Sequence, residues 1–203
     1  MDFLKNFLGS RATINSRTWG TLTMESVSFT PATDGDLVVI IGKPFKQKTP
    51  LIRIHSECVF AEVFDSDLCD CADQLRLALK RLTDNGHGLL FYLRFDGRGA
   101  GLAAKVKATA LELEGMDTYE SRVRIGVAPE GRDFKNIGAY LRKHGVSKIR
   151  LLTNNPMKGK GLEQAGLALE YESLLVDMPS EKIRKLYKTK AERFSHNIPK
   201  SMR

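Results

Sequence analysis

The chain of 203 residues is 42% hydrophobic and 28% charged, an ordinary composition for a soluble globular protein with a real core in one domain or two small ones. Its longest apolar runs, such as residues 37–41, are too short to span a bilayer. Residues 1–10 lack the long apolar region and small-residue cleavage site of a signal peptide, so the cytoplasm is the expected location. The formal net charge of +8 admits two classes, a nucleic-acid binder or an enzyme whose pocket gathers a polyanionic small molecule.

Residues 21–29, 37–41 and 51–55 are short runs rich in β-branched residues, separated by Gly, Pro, Asp and Lys, and they predict an N-terminal group of strands. After Asp70 the period changes. Leu75, Ala78, Leu79 and Leu82 recur at helical spacing, and Asn85-Gly86 stops that helix. Residues 88–94 (GLLFYLR) predict a buried strand. The next helix carries Leu102, Val106, Thr109, Ala110 and Leu113 on one face and ends at Gly115. A further helix runs from about Arg132 to Lys143 with Phe134, Ile137 and Leu141 inward. Residues 148–152 read as a strand, Pro156 opens a helix at its first turn, and residues 169–176 read as another strand. Pro179 begins a polar, basic terminal helix. This alternation from residue 70 onward predicts an α/β (α+β) fold with a mixed sheet: a single domain over 1–203 with a basic helical tail from about 179.

Eight basic residues follow Pro179, a run that a solvated helix and tail explain. No stripe of basic residues interleaved with aromatics appears elsewhere, which weakens the nucleic-acid reading. Cys58, Cys69 and Cys71 lie within fourteen residues of one another. An odd, bunched set of cysteines in a cytosolic chain points to a metal or to reactive thiols rather than to a disulfide framework. Thiolates suit zinc, and two arrangements remain open. A closed structural site would recruit His55 as its fourth ligand; an open site would keep a water on the metal and acidify it toward neutral pH.

The segment Arg53-Ile54-His55-Ser56-Glu57-Cys58, followed by Cys69-Asp70-Cys71 and Gln74-Leu75, closely resembles the signature of GTP cyclohydrolase II, a zinc enzyme of riboflavin synthesis. The resemblance continues in order through residues 92–98 (YLRFDGR), Gly101-Leu102, Asp117-Thr118, Arg132-Asp133-Phe134, residues 151–156 (LLTNNP) and residues 187–192 (YKTKAE). It covers roughly residues 17–195. The resemblance implies zinc ligation by Cys58, Cys69 and Cys71. It places Arg53, His55, Ser56, Glu57, Gln74, Asp96, Gly97, Arg98, Thr118, Thr153 and Lys158 on nucleotide-contacting positions. Arg132 falls on the family's nucleophile toward the α-phosphorus, and Glu130 on the neighbouring general base, usually Asp. Magnesium on the triphosphate, a homodimer and GTP or a related purine nucleotide as substrate are further implications. Without the resemblance, Asp96-Gly97-Arg98 would read as a turn, residues 153–156 as a strand-end turn capping a helix, and Glu130 and Arg132 as surface charges.

Several positions depart from the family pattern. Thr109 stands where the family has a Tyr whose hydroxyl assists hydrolysis, and its shorter side chain either serves in another way or only packs. Phe95 replaces a usual Gln, Asp96 a Glu, Leu68 an Arg and Ala104 an Asn, while Phe60-Ala61-Glu62 replaces Thr-Gly-Asp. Three outcomes follow for the base: complete hydrolysis with release of pyrophosphate and formate, ring opening that stops at the formamide, or action on another nucleotide. A zinc-containing nucleic-acid-binding module is the alternative outside enzymology.

Overall fold

The computed structural model describes residues 8–30, 35–176 and 179–203. The first seven residues of the stretch read for a leader lie outside them. Seven strands form one mixed sheet: β1 (Arg11–Ser16), β2 (Gly20–Val27), β3 (Asp36–Ile41), β4 (Leu51–Ser56), β5 (Gly88–Leu93), β6 (Lys148–Leu152) and β7 (Ala168–Glu172). Their order is β1-β2-β3-β5-β4-β6-β7. The β1-β2, β2-β3 and β3-β5 pairs are antiparallel. The remaining pairs, β4 with β5, β4 with β6, and β6 with β7, are parallel. The class is α/β with a mixed sheet, as the alternation of elements predicts.

Parallel neighbours require crossovers. These are supplied by α2 (Cys71–Asp84) between β4 and β5, α5 (Lys135–Lys143) before β6, and α6 (Pro156–Gln164) before β7. The other helices are α1 (Val59–Glu62), α3 (Gly101–Leu113), α4 (Glu120–Arg124) and α7 (Glu181–Phe194). Both faces of the sheet are covered. Ile52, Ile54, Phe91 and Leu93 pack with Ile137, Leu141 and Leu162 on one side, and Leu51, Leu90 and Val39 pack with Ala78 and Leu82 on the other. Alternation along β4 therefore directs Leu51, Arg53 and His55 to the α2 face. That row turns from apolar to polar as it nears the strand's carboxyl end, and there the site begins.

Several boundaries differ from the sequence expectation. β1 is exposed along nearly its whole length, so it lacks the apolar alternation that would reveal it. The helix expected from Arg132 starts at Lys135, where the Asp133 carboxylate accepts from the Lys135 N–H at 3.0 Å. The strand expected over 169–176 ends at Glu172. Beyond it the Asn154 side chain, not a neighbouring strand, accepts from Leu174 N–H at 3.1 Å and donates to Leu174 O at 2.6 Å. α3 differs most. Its expected inward stripe faces out, with Leu102, Val106 and Leu113 exposed at 46%, 53% and 70%, while Ala108 is the buried residue. The helix rests on the 3-10 turn Asp96–Gly99 and on α4 instead of on the sheet. No helix among the described residues is long and apolar enough to cross a membrane.

Candidate active site at the carboxyl ends of the parallel strands

β4 sends its chain toward β5 on one side and β6 sends its chain toward β7 on the other. A crevice opens beyond two adjacent strands whose connections diverge, and such crevices hold ligands in open α/β sheets. Every site residue expected from the sequence except Glu130 lines one cavity here. β4 contributes Arg53, His55 and Ser56, with Glu57 and Cys58 just past its end. Asp96, Gly97 and Arg98 follow β5, Thr109 and Thr118 come from α3 and the turn after it, and Thr153 and Lys158 follow β6. Two bonds fix the polar ends across the sheet: Arg53 Nη1 donates to Leu152 O at 3.1 Å, and Lys158 Nζ donates to Ile54 O at 2.8 Å. Arg98 holds a left-handed backbone at φ 59°, a conformation that a non-glycine residue adopts at an energetic cost and that clusters at functional sites.

The three cysteine sulfurs lie within 4.8 Å of one another, and Cys58 and Cys69 Sγ are 3.6 Å apart. A tetrahedral thiolate site with metal–sulfur bonds of about 2.3 Å needs sulfurs about 3.8 Å apart, so the trio fits a metal ion. Cys71 sits at the first turn of α2 and Cys58 at the entry to α1; the two helix starts bring together ligands that are distant in sequence. Hydrogen bonds within the trio push the Cys58 thiol far down and the Cys69 and Cys71 thiols up. Lys105 Nζ lies 3.0 Å from Cys58 Sγ and also donates to Asp96 at 2.7 Å. The closed arrangement with His55 does not form. His55 Nε2 is 2.8 Å from Glu62 Oε1, and its ring stacks on Tyr92. Burial, above the opposing pull of Glu62, pushes its pKa down to about 4, so the ring is neutral. Three thiolates without a fourth ligand among the described residues is the donor count of an open site.

Beside the sulfurs the cavity is strongly cationic. Arg53 and Lys158 are 4% and 6% exposed. Burial first, then the charge of Arg53 and Arg132, pushes Lys158 well below its ordinary value. Burial together with Arg132 and Arg122 lowers Arg98 to about 9. Burial is the main cause for Arg53, lowered to about 10. Arg132 is gripped by Glu130, with Nε donating to Oε1 at 2.6 Å and Nη2 to Oε2, while Nη1 donates to Ser56 Oγ at 3.1 Å. Burial would raise Glu130, but Arg132 and Arg98 hold it below its usual range. Cations crowded against one another in a buried cleft favour a polyanionic ligand, which offsets their mutual repulsion.

Some expected ligand positions are engaged within the protein. Asp96 accepts from Val59 N–H, Gly97 N–H and Lys105, so it braces the turn after β5. Thr118 Oγ1 accepts from Arg122 Nη1 at 2.9 Å, and Gln74 joins Arg53 to Asp70. Glu57 accepts from Arg94 Nε at 2.8 Å. Among the departures, Phe95 is buried in the core, and Glu62 is bonded to His55, Cys58 N–H and Tyr92. Thr109 lines the cavity and is part-buried.

Sequence reasoning missed a whole wall. Leu186, Tyr187, Lys190, His196 and Ile198 line the cavity, with Lys105, Glu112 and Arg122 opposite. The basic terminal helix is therefore not simply solvated. Ile183, Tyr187 and Ile198 are buried together, and Lys190 Nζ donates to Asp70 Oδ1 at 2.9 Å. The pairing of Ile183 with Tyr187 at helical spacing was the available signal, masked by the charges around it.

Together these features set three cysteines that could hold a metal ion beside a cluster of buried cations on an α/β sheet. The sequence profile described as GTP cyclohydrolase II matches residues 9–172, and the chain belongs to that family. The riboflavin biosynthesis protein RibBA of Endomicrobium trichonymphae is 40% identical over 168 residues, 82% of this chain and 41% of that protein. GTP cyclohydrolase-2 of Psychromonas ingrahamii is 37% identical over 163 residues, 80% of this chain and 81% of that protein. GTP cyclohydrolase-2 of Aliivibrio fischeri is 43% identical over 124 residues, 61% and 62% of the two chains. The chain spans less than half the length of the RibBA relatives that it matches. Among solved structures, RibBX, a two-domain 3,4-dihydroxy-2-butanone 4-phosphate synthase from A. baumannii, has a TM-score of 0.41 at 17% identity, covering 83% of this chain and 39% of that one; it is too remote to bear on the site.

Proposed function

We propose that this chain hydrolyses GTP, opening the guanine imidazole ring at C8 and releasing pyrophosphate and formate to leave a 2,5-diamino-6-ribosylamino-4(3H)-pyrimidinone 5′-phosphate. The observation that carries the reading is the placement of three cysteine sulfurs and the cations Arg53, Arg98, Arg132 and Lys158 around one cavity. Zinc held by the sulfurs supplies Lewis acidity and water acidified toward neutral pH. The protein's part is to bind and orient. Arg98 and Lys158 hold the triphosphate, and guanidinium offers phosphate a planar fork of donors. In this reading Arg132 attacks the α-phosphorus: its N–P bond forms as the P–O bond to pyrophosphate breaks, and Glu130, a carboxylate already on that guanidinium, accepts the proton. Hydrolysis of the N–P bond then returns the arginine. Neutral His55, oriented by Glu62, lines the same wall.

Magnesium accompanies the triphosphate. The exposed stripe of Leu102, Val106 and Leu113, with Val123 of α4 exposed at 55%, supports a homodimer through this face. Residues 1–203 act as one domain in the cytoplasm, without nucleic acid or membrane as a partner. A second reading has one observation in its favour. Thr109 lines the cavity where the family has a tyrosine, and in that reading hydrolysis stops at the formylamino pyrimidine. Incubation with GTP, Zn²⁺ and Mg²⁺, followed by mass spectrometry with formate and pyrophosphate assays, tests both. Both small products support the full reaction, pyrophosphate alone supports the arrested one, and neither rejects GTP as substrate.

A further inference from the structure

The segment after α7 carries a polar atom whose burial nothing among the described residues offsets. His196 Nε2 is buried and has no hydrogen-bond partner among the described residues, and the ring lines the cavity. Burying such a group unpaired is costly, and native structures rarely leave one so without a purpose. Its placement is built. Ser195 ends the helix in a left-handed conformation at φ 54°, which turns the chain back so that His196 N–H donates to Lys190 O at 3.0 Å. Asn197 N–H donates to Asn154 O at 2.8 Å, tying the segment to the loop after β6, and Ile198 is 2% exposed. One residue before the cap, Phe194 lies under the Arg98 guanidinium, 3.8 Å from ring centroid to Cζ.

We propose that His196 is a further ligand-contacting residue of this site, donating from Nε2–H to a phosphate oxygen of the bound nucleotide, so that the segment after α7 closes the polyphosphate subsite. This rests on the nucleotide reading above and adds a residue to it. Besides burial, the charges that act on the ring are those of Lys190, Arg98, Lys158 and Arg132. Those four are donors only, so none can accept a proton from Nε2. A phosphate oxygen drawn among them accepts and does not donate. It is thus the partner that satisfies an Nε2–H, the tautomer that fits a ring nitrogen to which none of these four donors bonds.

The test titrates the zinc-loaded 203-residue chain with inorganic triphosphate by calorimetry. His196→Ala should weaken binding about tenfold, the effect of one hydrogen bond to a charged acceptor. His196→Gln, whose Nε2 reaches a similar position, should recover most of it, with the melting temperature unchanged in both. Equal affinity of the alanine variant overturns the proposal, as does a wild-type chain that does not bind triphosphate. A lowered melting temperature with no rescue by glutamine also overturns it, in favour of a packing role. Triphosphate binding that depends on His196 in a chain that leaves GTP intact keeps this contact and rejects the hydrolytic reading instead.

Discussion

The Tyr187 hydroxyl donates to Asp70 Oδ2 at 2.6 Å, joining the terminal helix to the residue that separates two of the three cysteines. Asp70 is 2% exposed and also accepts from Lys190 and Gln74, and Gln74 accepts from Arg53 at 2.9 Å. One buried carboxylate therefore links α7, the cysteine loop and the cationic end of β4. Residues that orient ligands in this way influence metal affinity without touching the metal.

Tyr187→Phe keeps the buried ring and removes the hydroxyl. Stability should fall by about 1 kcal/mol, and zinc should bind roughly tenfold more weakly. Thermal melting and competition against a chelator measure the two effects. Unchanged zinc affinity would confine α7 to packing.

Cys69→Ser should reduce bound zinc from one per chain to a small residue and abolish ring opening, because a hydroxyl is a poor substitute for a soft thiolate. Elemental analysis of the purified variant reads the first effect and product assay the second. A metal-free variant with full activity would remove the sulfurs from the mechanism.

Arg132→Ala should slow pyrophosphate release on the order of 10³-fold or more, the scale seen when a covalent nucleophile is deleted. Zinc content should stay the same, since Arg132 bonds Glu130 and Ser56 and no cysteine. Retained pyrophosphate release would reassign the nucleophile.

Triphosphate binding should take up protons from solution at alkaline pH. Burial and neighbouring cations hold Lys158 well below 10.5 in the free protein, so above that depressed value part of the population is neutral. A polyanion raises the pKa again and draws a proton in. Uptake therefore grows as pH rises through the free value and fades as it passes the value in the complex. Arg98, lowered to about 9 by burial and neighbouring cations, adds uptake in the same direction, so the responding groups are Lys158 and Arg98. Calorimetry at pH 8–9 in buffers of different ionisation enthalpy measures the uptake, and net release would reverse the assignment.

Thr109→Tyr should increase the formate-to-pyrophosphate ratio if the natural reaction ends at the formamide. Thr109 is part-buried on the cavity wall, so the added ring points into the site. An unchanged ratio would show that the second hydrolysis does not depend on this position.

Much of the architecture is legible in the sequence because strong periodicity coincides with burial. The run at residues 88–94 and the Leu75, Ala78, Leu79, Leu82 spacing correspond to β5 and α2. α3 shows the limit of that logic. Its apolar stripe is real, yet it faces outward, because periodicity reveals a face and not the surface against which it packs. The cysteine cluster and the ordered motifs pointed to residues that converge on a single cavity. The α7 wall did not show, since its contacts to Asp70 and Arg98 are long-range and its composition is that of a solvated helix.

The most direct measurement follows the reacting carbon. Zinc-loaded protein with Mg²⁺ and GTP labelled with ¹³C at C8 is monitored by NMR. Hydrolysis at this site predicts that the label leaves the purine, passes through a formamide and collects as formate, while Cys69→Ser leaves it in place. A label that stays in intact guanine in the zinc-loaded wild-type protein would contradict ring opening altogether.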